Sequence, residues 1–128
     1  MKILLDTHAL LWAILTPNRL SRSASISIRN PANAILASAA SAWEIATKVR
    51  LGKLPGAAAL ERRFLDAMDD AGYVLLSIDV PTALRAGRLT GDHRDSFDRM
   101  IAAQALALDI PIVSSDPLLD SFGIRRIW

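Results

Sequence analysis

Acidic side chains stand at separate places along this chain of 128 residues, and each lies beside a stretch with the apolar pattern of a strand or a helix. Asp6 follows the run KILL, Asp116 follows PIVSS, and Glu44 lies within AASAWEIATKVR. Asp95 and Asp98 begin the helical pattern SFDRMIAAQALAL. If folding gathers these carboxylates, they repel one another, and burial raises their pKa values unless a cation supplies compensating charge.

A divalent cation would satisfy such a cluster. The chain has no cysteine, and only one histidine is expected near the acids. Carboxylates without thiolates are the hard oxygen ligands that Mg²⁺ and Mn²⁺ prefer. Mg²⁺ usually keeps several waters and takes its other oxygens from protein carboxylates and a substrate phosphate. The pattern therefore indicates phosphate chemistry, with a phosphodiester as the predicted substrate.

Each acid also has a purely structural explanation. Aspartate is a common helix N-cap, which would account for Asp6, Asp95 and Asp116. Asp98 would then be the reciprocal member of a capping box, and Glu44 could pair with a lysine one turn later. The sequence leaves both explanations open for any one residue, and only the whole set favours a cation site.

The acids are separated by alternating strand and helix patterns. Apolar runs predict strands at KILL, NAILAS, YVLLSI and PIVSS, with IRRIW as an edge strand. Helices are predicted for HALLWAIL, for AASAWEIATKVR with its end at Gly52, and for ALERRFLDAMDDAG with its end at Gly72. LSRSASISIRN favours a helix but also permits a strand. A further helix begins at Asp79 or Val80, with Pro81 in its first turn.

Continuous apolar strands separated by helices are typical of a parallel sheet that is covered on both faces. We therefore predict a three-layer α/β/α sandwich with a central, mainly parallel sheet of about five strands. Ligands of such sheets bind beyond the carboxyl ends of the strands, where the following helices begin. That is where all of the acids are expected, so we predict that they meet at one edge of the sheet.

The composition fits a single soluble domain over residues 1–128, because it is 52% hydrophobic, 22% charged and only 5% aromatic. Without cysteine, disulfides and thiolate metal sites are excluded, which suits a reducing cytoplasm. The apolar start MKILLDTHALLWAIL is interrupted by Asp6 and His8, well short of the roughly 18 residues that a spanning helix needs. It also lacks a signal-peptide cleavage site. We expect a cytoplasmic protein without membrane contact.

Arginine dominates the basic residues, and the formal net charge is +2. The planar guanidinium group pairs well with phosphate oxygens, which favours a phosphate-rich partner. Ordinary solvated surface charge explains the same bias.

Other acid-dependent α/β proteins fit the residues less well. A phosphotransferase with a DxD motif is disfavoured because the sequence reads DTH from Asp6. A receiver domain needs a lysine near its last strands, and no lysine follows Lys53. There is no glycine-rich phosphate loop. His8 and His93 lack zinc-site spacing, and we interpret them as helix-terminus or surface residues.

Four segments resemble the acidic motifs of PIN-domain ribonucleases, and more narrowly those of the VapC-type toxins of bacterial toxin–antitoxin pairs. They are LLDTHALLW, SAASAWEIATKVRLGKL, HRDSFDRMIAAQA and IVSSDPLL, in the family's order and at family-like spacing across nearly the whole chain. By position, Asp6, Glu44, Asp98 and Asp116 match the family's acidic quartet. Asp95 matches an additional acid that is common in this subgroup.

The resemblance implies an endoribonuclease toxin that needs Mg²⁺ or Mn²⁺ and cleaves single-stranded RNA by metal-assisted phosphodiester hydrolysis. It also implies a homodimer and a cognate VapB-type antitoxin that blocks the site. Asp6 and Asp98 would be the principal metal ligands, with Glu44 and Asp116 completing the cage or holding water. Thr7 and Ser114 resemble polar neighbours that orient such ligands. Ser96 departs from the family pattern, because many members have proline at that position.

Two other functions remain open from the sequence. One is a non-catalytic module that binds RNA or protein and in which the acids only cap helices. The other is a housekeeping nuclease of RNA maturation. A separate hypothesis concerns the first helix, because Leu11, Trp12 and Leu15 give it a surplus of large apolar side chains. Such a surplus could seat a partner helix or lie in the core.

Overall fold

The computed structural model describes residues 1–128 and contains one five-stranded sheet. Its strands are β1 (Lys2–Leu5), β2 (Ala34–Ser38), β3 (Val74–Leu76), β4 (Ile112–Val113) and β5 (Arg126–Ile127). Their order across the sheet is β3-β2-β1-β4-β5, and every neighbouring pair is parallel. The predicted parallel sheet with β5 at one edge is confirmed, and β1 lies at its centre.

Helices cover both faces of this sheet. They are α1 (Thr7–Leu15), α2 (Arg22–Arg29), α3 (Ala39–Arg50), α4 (Ala58–Arg62), α5 (Phe64–Ala71), α6 (Val80–Arg88) and α7 (Ser96–Leu108). Short 3₁₀ segments occupy Pro17–Arg19, Pro55–Ala57 and Pro117–Phe122. None of the helices has both the length and the apolar character that crossing a membrane requires.

Two hydrophobic cores lie on opposite faces of the sheet because successive strand side chains point to opposite sides. Ile3 and Leu5 of β1 pack into the core that α1 and α3 cover. Leu4, between them, packs into the other core with Ile101 of α7 and Ile112 of β4. Because the side chains of the central strand β1 alternate between the two cores, helices cover both faces of the sheet, and the result is an α/β sandwich.

The sequence ALERRFLDAMDDAG does not form the single helix that its periodicity predicts. The chain leaves the helical conformation at Arg63, where φ is −119° and ψ is 28°, and this residue separates α4 from α5. Leu60 before the break and Met68 after it are buried in the same core. Packing of two short segments thus replaces a continuous helix, since tertiary contacts supply most of a helix's stability. Gly72, with φ of 74°, ends α5 as predicted.

The segment LSRSASISIRN forms α2, so its alternative assignment as a strand is wrong. Ser21 is the N-cap, and its hydroxyl accepts a hydrogen bond from the amide of Ala24 at 3.1 Å. Ala24 is fully buried against the core beneath α1. The Ser21 cap and the buried Ala24 therefore favour the helix over the strand for this segment.

Candidate metal-binding acidic site

Asp6 lies directly after β1 and begins α1. Its Oδ1 accepts a hydrogen bond from the amide of Ala9 at 2.8 Å, so the predicted N-cap is confirmed. Burial raises the pKa of this carboxyl group, and the negative charge of Glu44 raises it further. The Ser114 hydroxyl and the Ala9 amide oppose this rise because they interact favourably with the charged form. The cap uses only one carboxylate oxygen, so capping and ligand binding are compatible.

Glu44 projects from α3 into the same site and is only 3% exposed. Its Oε2 accepts a hydrogen bond from Nζ of Lys48, the lysine one turn later, and this contact raises the pKa of Lys48. Its Oε1 is buried and has no hydrogen-bond partner. An unpaired buried acceptor costs about 1–3 kcal/mol, so a cation or a water bound at this oxygen would stabilise the folded protein.

Asp95 and Asp98 have different roles at the beginning of α7. Asp95 is the N-cap, and its Oδ1 accepts hydrogen bonds from the amides of Phe97 at 2.9 Å and Asp98 at 3.1 Å. Ser96 is the first helical residue, a position that proline also favours, so its presence does not displace the helix start. The predicted cap is confirmed, and the side chain of Asp98 is left free of capping.

The pKa of Asp98 is strongly raised in this site. Burial, followed by the negative charges of Asp95, Asp6 and Glu44, raises its pKa from the ordinary 3.8 to about 7. His93 opposes this rise. Repulsion of this kind arises only between charges within a few ångströms. The structure therefore brings together acids that are more than ninety residues apart in the chain.

Asp116 follows β4 and begins the 3₁₀ segment Pro117–Phe122. Its Oδ1 accepts a hydrogen bond from the amide of Leu118 at 3.0 Å, which confirms this cap as well. Its Oδ2 lies 2.9 Å from Nε2 of His93. Only Oδ1 is used by the cap, and about a third of the side chain remains exposed.

His93 is the residue that the sequence interpretation missed. The structure buries it, with only 8% exposed, so it is not a surface residue, although it does lie two residues before the N-cap of α7. Its Nε2 lies 2.8 Å from Oδ2 of Asp98 and 2.9 Å from Oδ2 of Asp116. The only signal in the sequence was its position within the motif HRDSFDR, because no periodicity marks a residue in the loop before a helix.

A family model for the PIN domain matches residues 3–124, which includes every acid described above. The chain belongs to the PIN domain family. The predicted family and fold are thereby confirmed. Among curated proteins, none matches the chain significantly.

Solved structures share the PIN-domain fold of the chain. VapBC2 from Rickettsia felis, bound to a DNA fragment from its promoter, aligns with a TM-score of 0.68 over 100% of both chains at 15% identity. FitAcB from Neisseria gonorrhoeae aligns with a TM-score of 0.61 at 20% identity, over 97% of this chain and 95% of the other. FitAB bound to an IR36 DNA fragment gives a TM-score of 0.61 at 19% identity, over 97% and 92%. At such identities the likeness concerns the fold.

Two hydroxyl groups support the acids of this PIN domain in different ways. The Ser114 hydroxyl accepts a hydrogen bond from the backbone amide of Asp116 at 3.0 Å. Ser114 also favours the charged form of Asp6. The Thr7 hydroxyl acts indirectly, because it forms a 3.0 Å hydrogen bond with the hydroxyl of Ser41. Thr7 therefore joins α1, which begins at Asp6, to α3, which carries Glu44.

The donor set of this PIN domain fits a divalent cation. Ligand atoms of His93, Asp98 and Asp116 lie within 4.8 Å of one another. Asp6 and Glu44 are not part of this group, but both carboxylates are buried and both raise the pKa of Asp98 through their negative charge. Carboxylate oxygens at this density suit Mg²⁺ or Mn²⁺.

We expect the Tm of the metal-free PIN domain to fall as the pH rises from about 4 to about 7. The folded pKa of Asp98 is about 7 and its ordinary value is 3.8, so the folded state binds more protons between these values. The contribution of Asp98 to stability is therefore fully present below its ordinary pKa of 3.8. It is lost as the pH rises through about 7, the pKa of Asp98 in the folded protein. Calorimetry in EDTA measures this slope, and Asp98→Asn should flatten it. An equal slope in both proteins would contradict the assignment.

Proposed function

We propose that residues 1–128 form a single PIN domain that acts as a VapC-type toxin, an endoribonuclease that cleaves single-stranded RNA with Mg²⁺ or Mn²⁺. PIN domains are generally nucleases, which supports phosphodiester hydrolysis. The observation that carries the proposal is the buried, unpartnered Oε1 of Glu44 beside Asp6 and Asp98, whose pKa values are raised. A cluster of this kind is destabilising by itself and becomes favourable when it binds a cation.

The residues have distinct parts in this proposed reaction. A bound Mg²⁺ or Mn²⁺ supplies a Lewis acid that polarises the phosphoryl group and makes a bound water more acidic. Asp6 and Asp98 would hold the ion directly, together with Oε1 of Glu44. Lys48 fixes the other oxygen of Glu44 and so maintains the orientation of that carboxylate. Asp116 is the most accessible of the quartet, and it is the group placed to orient water or pass a proton at the leaving oxygen.

Cleavage of defined nucleic acids tests this function directly. The purified chain is incubated with single-stranded RNA, an RNA hairpin and single-stranded DNA, each in EDTA, Mg²⁺ or Mn²⁺. We expect metal-dependent cleavage of single-stranded RNA alone. Cleavage of DNA or of structured precursors instead would favour a housekeeping nuclease, and RNA binding without cleavage would favour a non-catalytic module. Sequencing of RNA ends after brief induction in a host without the antitoxin would identify the target.

The proposed antitoxin has a candidate docking groove beside α1. The groove has a volume of about 670 Å³ and is lined by apolar residues of α1 and of the segment around Leu54. Leu11 at its base is buried and belongs to the core, whereas Leu15 is 44% exposed. Arg19 and Lys53 also line it, so it suits an amphipathic segment that carries acidic side chains. The similarity in fold to VapBC2 and FitAB supports a cognate antitoxin as the partner.

Substitutions in this groove should separate partner binding from folding. Trp12 is half-buried, with its ring 5.6 Å from that of Trp128 and 5.3 Å from the Arg19 guanidinium. Trp12→Ala should therefore lower both Tm and antitoxin affinity. Leu15→Asn should leave Tm nearly unchanged but weaken binding about tenfold, the equivalent of about 1.4 kcal/mol. Calorimetric titration with the product of the small reading frame adjacent to the gene measures this, and unchanged affinity in both variants would exclude the groove.

The proposed homodimer has a candidate interface around the edge strand β3. An edge strand presents unpaired backbone groups that favour pairing or coverage. Large apolar side chains are exposed on β3 and on three of the helices, and Leu65 and Leu75 among them line one pocket: Trp43, Leu65, Val74, Leu75, Val80 and Leu84. Exposed apolar surface on this scale is typical of protein interfaces.

We expect the protein to be a dimer by size-exclusion chromatography with light scattering, and Leu84→Glu to make it monomeric. Leu84 is half exposed, so a glutamate there is compatible with folding of the monomer but would place a charge in the interface. Leu108→Glu is the matched control, because Leu108 is similarly exposed but lies at the end of α7. A monomeric wild type, or a dimer that survives Leu84→Glu, would contradict this interface.

A further inference from the structure

Gln104 of α7 is a buried polar residue that the proposed reaction does not use. It is only 3% exposed, and the other residues that α7 buries are all apolar. Its Oε1 accepts a hydrogen bond from the hydroxyl of Ser38, and its Nε2 donates one to the carbonyl oxygen of Ser77 at 3.2 Å. A carbonyl oxygen can only accept, so these partners determine which end of the amide faces which strand. Both ends of the buried amide are therefore paired.

The two partners of Gln104 lie at the same edge of the sheet as the acids. Ser38 is the last residue of β2, and Ser77 directly follows the neighbouring strand β3. Ser38 is also the N-cap of α3, because its hydroxyl accepts a hydrogen bond from the amide of Ala40 at 2.9 Å. One side chain of α7 therefore contacts both the start of the helix that carries Glu44 and the end of the edge strand.

The elements that meet at this edge carry like charges. Asp98 lies in the first turn of α7, and the negative charges of Asp6 and of Glu44 on α3 raise its pKa. Repulsion between these carboxylates therefore acts to separate α7 from α3 when no cation is bound. The hydrogen bond between Ser38 and Gln104 acts against this separation.

Apolar packing specifies the position of α7 less strictly than this hydrogen bond does. Three of the four apolar residues that α7 buries are alanine: Ala102, Ala103 and Ala105. Hydrophobic burial is non-directional, and short side chains interdigitate little, so such a surface resists a small shift only weakly. A fully paired buried polar group instead favours one arrangement, because hydrogen bonds are directional. Gln104 lies about 9 Å along the helix from Asp98, so fixing one also fixes the other.

We propose that Gln104 is a positioning residue whose hydrogen bonds fix α7 against α3 and β3, and so hold the carboxylate of Asp98 beside that of Glu44, where the two can share one cation. The inference rests on the proposed metal-dependent function. Without the amide this directional contact is lost, and the repelling carboxylates can move apart. Groups that orient metal ligands in this way commonly change metal affinity about tenfold to a hundredfold.

Mn²⁺ titrations followed by electron paramagnetic resonance test this role with a matched pair of variants. Gln104→Met keeps a long, unbranched side chain but removes both hydrogen bonds, and we expect it to lower Mn²⁺ affinity at least about tenfold. Ile101→Val is the control, because it removes one buried methyl group from the same helix and should lower Tm without changing affinity. Wild-type affinity in Gln104→Met, or an equal loss in Ile101→Val, would overturn the proposal.

A double-mutant cycle tests whether the effect of Gln104 passes through Ser38. Ser38→Ala removes the hydroxyl that donates to Gln104, together with the cap of α3. We expect Ser38→Ala to lower Mn²⁺ affinity clearly less in the Gln104→Met background than in the wild type, because the shared hydrogen bond is then already absent. Losses that simply add in the double variant would contradict the proposed coupling between α7 and α3.

The spacing of the two helices can be measured without metal or RNA. The chain has no cysteine, so spin labels on Arg50→Cys and Leu108→Cys, both at exposed positions, report only the distance between the ends of α3 and α7. Labelled protein is diluted with unlabelled protein, so that double electron–electron resonance measures distances within one chain. We expect a narrow distance distribution that broadens or shifts in Gln104→Met and stays unchanged in Ile101→Val.

This measurement separates the role of Gln104 from the proposed function. An unchanged distance distribution in Gln104→Met would overturn the role of Gln104, whether or not the chain cleaves RNA. A wild type that binds no Mn²⁺ would instead contradict the proposed metal-dependent function, and the label distances would still decide whether Gln104 fixes the position of α7.

Discussion

Asp98→Asn is expected to lower metal-dependent RNA cleavage by at least about a hundredfold, whereas Asp95→Asn should leave most of it. Asp98 faces the cluster, and its pKa of about 7 reflects burial among other negative charges. The amide of asparagine removes the charge that attracts the cation. Asp95 uses its Oδ1 to accept two backbone amides of α7, and asparagine caps helices about as well as aspartate. The two substitutions are therefore expected to differ in their effect on RNA cleavage, although Asp95 and Asp98 are only three residues apart.

Turnover measured across a Mn²⁺ titration for both variants tests this difference. Asp95→Asn also removes a charge that raises the pKa of Asp98, so its metal-free Tm at neutral pH should rise slightly. Circular dichroism spectra should match those of the wild type in both cases. An equal loss of turnover would mean that both aspartates act on the ion, and a loss confined to Asp95→Asn would exclude Asp98 as a ligand.

Asp6→Asn is expected to abolish cleavage and, at the same time, to stabilise the metal-free protein at neutral pH. Asp6 is buried, and both burial and the charge of Glu44 raise its pKa, so its ionised form is unfavourable without a cation. Asparagine keeps an oxygen for the 2.8 Å cap to the Ala9 amide and therefore preserves the start of α1. A substitution that lowers activity but raises stability is typical of a residue that is retained for function.

Two measurements on the same preparation test this result, cleavage of single-stranded RNA in Mn²⁺ and Tm in EDTA. Asp6→Ala is the matched comparison, because it removes the charge and also the cap, which is worth about 1 kcal/mol. We expect Asp6→Ala to be less stable than Asp6→Asn and equally inactive. Undiminished turnover in Asp6→Asn would remove Asp6 from the site, and a lower Tm than the wild type would contradict the repulsion.

Local interactions explain which features could be predicted from the sequence. Each cap is a contact between a side chain and an amide two or three residues away, so Asp6, Asp95 and Asp116 could be placed at helix starts from the sequence alone. The sheet type was equally predictable, because a strand buried on both faces must be a continuous apolar run. The order of strand and helix then placed the acids at one edge of the sheet, since parallel strands end on the same side.

Tertiary structure decided the features that depend on residues far apart in the chain. The break at Arg63 arises because α4 and α5 pack separately on a common core, which periodicity within the segment does not record. The unpaired oxygen of Glu44 is likewise a property of its buried surroundings.

His93 is the sharpest case. Its position depends on Phe122, which is twenty-nine residues away, and on the close approach of Gly91 to that ring. The sequence by itself determined which groups are available to the site and where along the chain they begin each element. Only the folded chain determined which of their atoms face one another, because burial and contact at a distance depend on how all the elements pack.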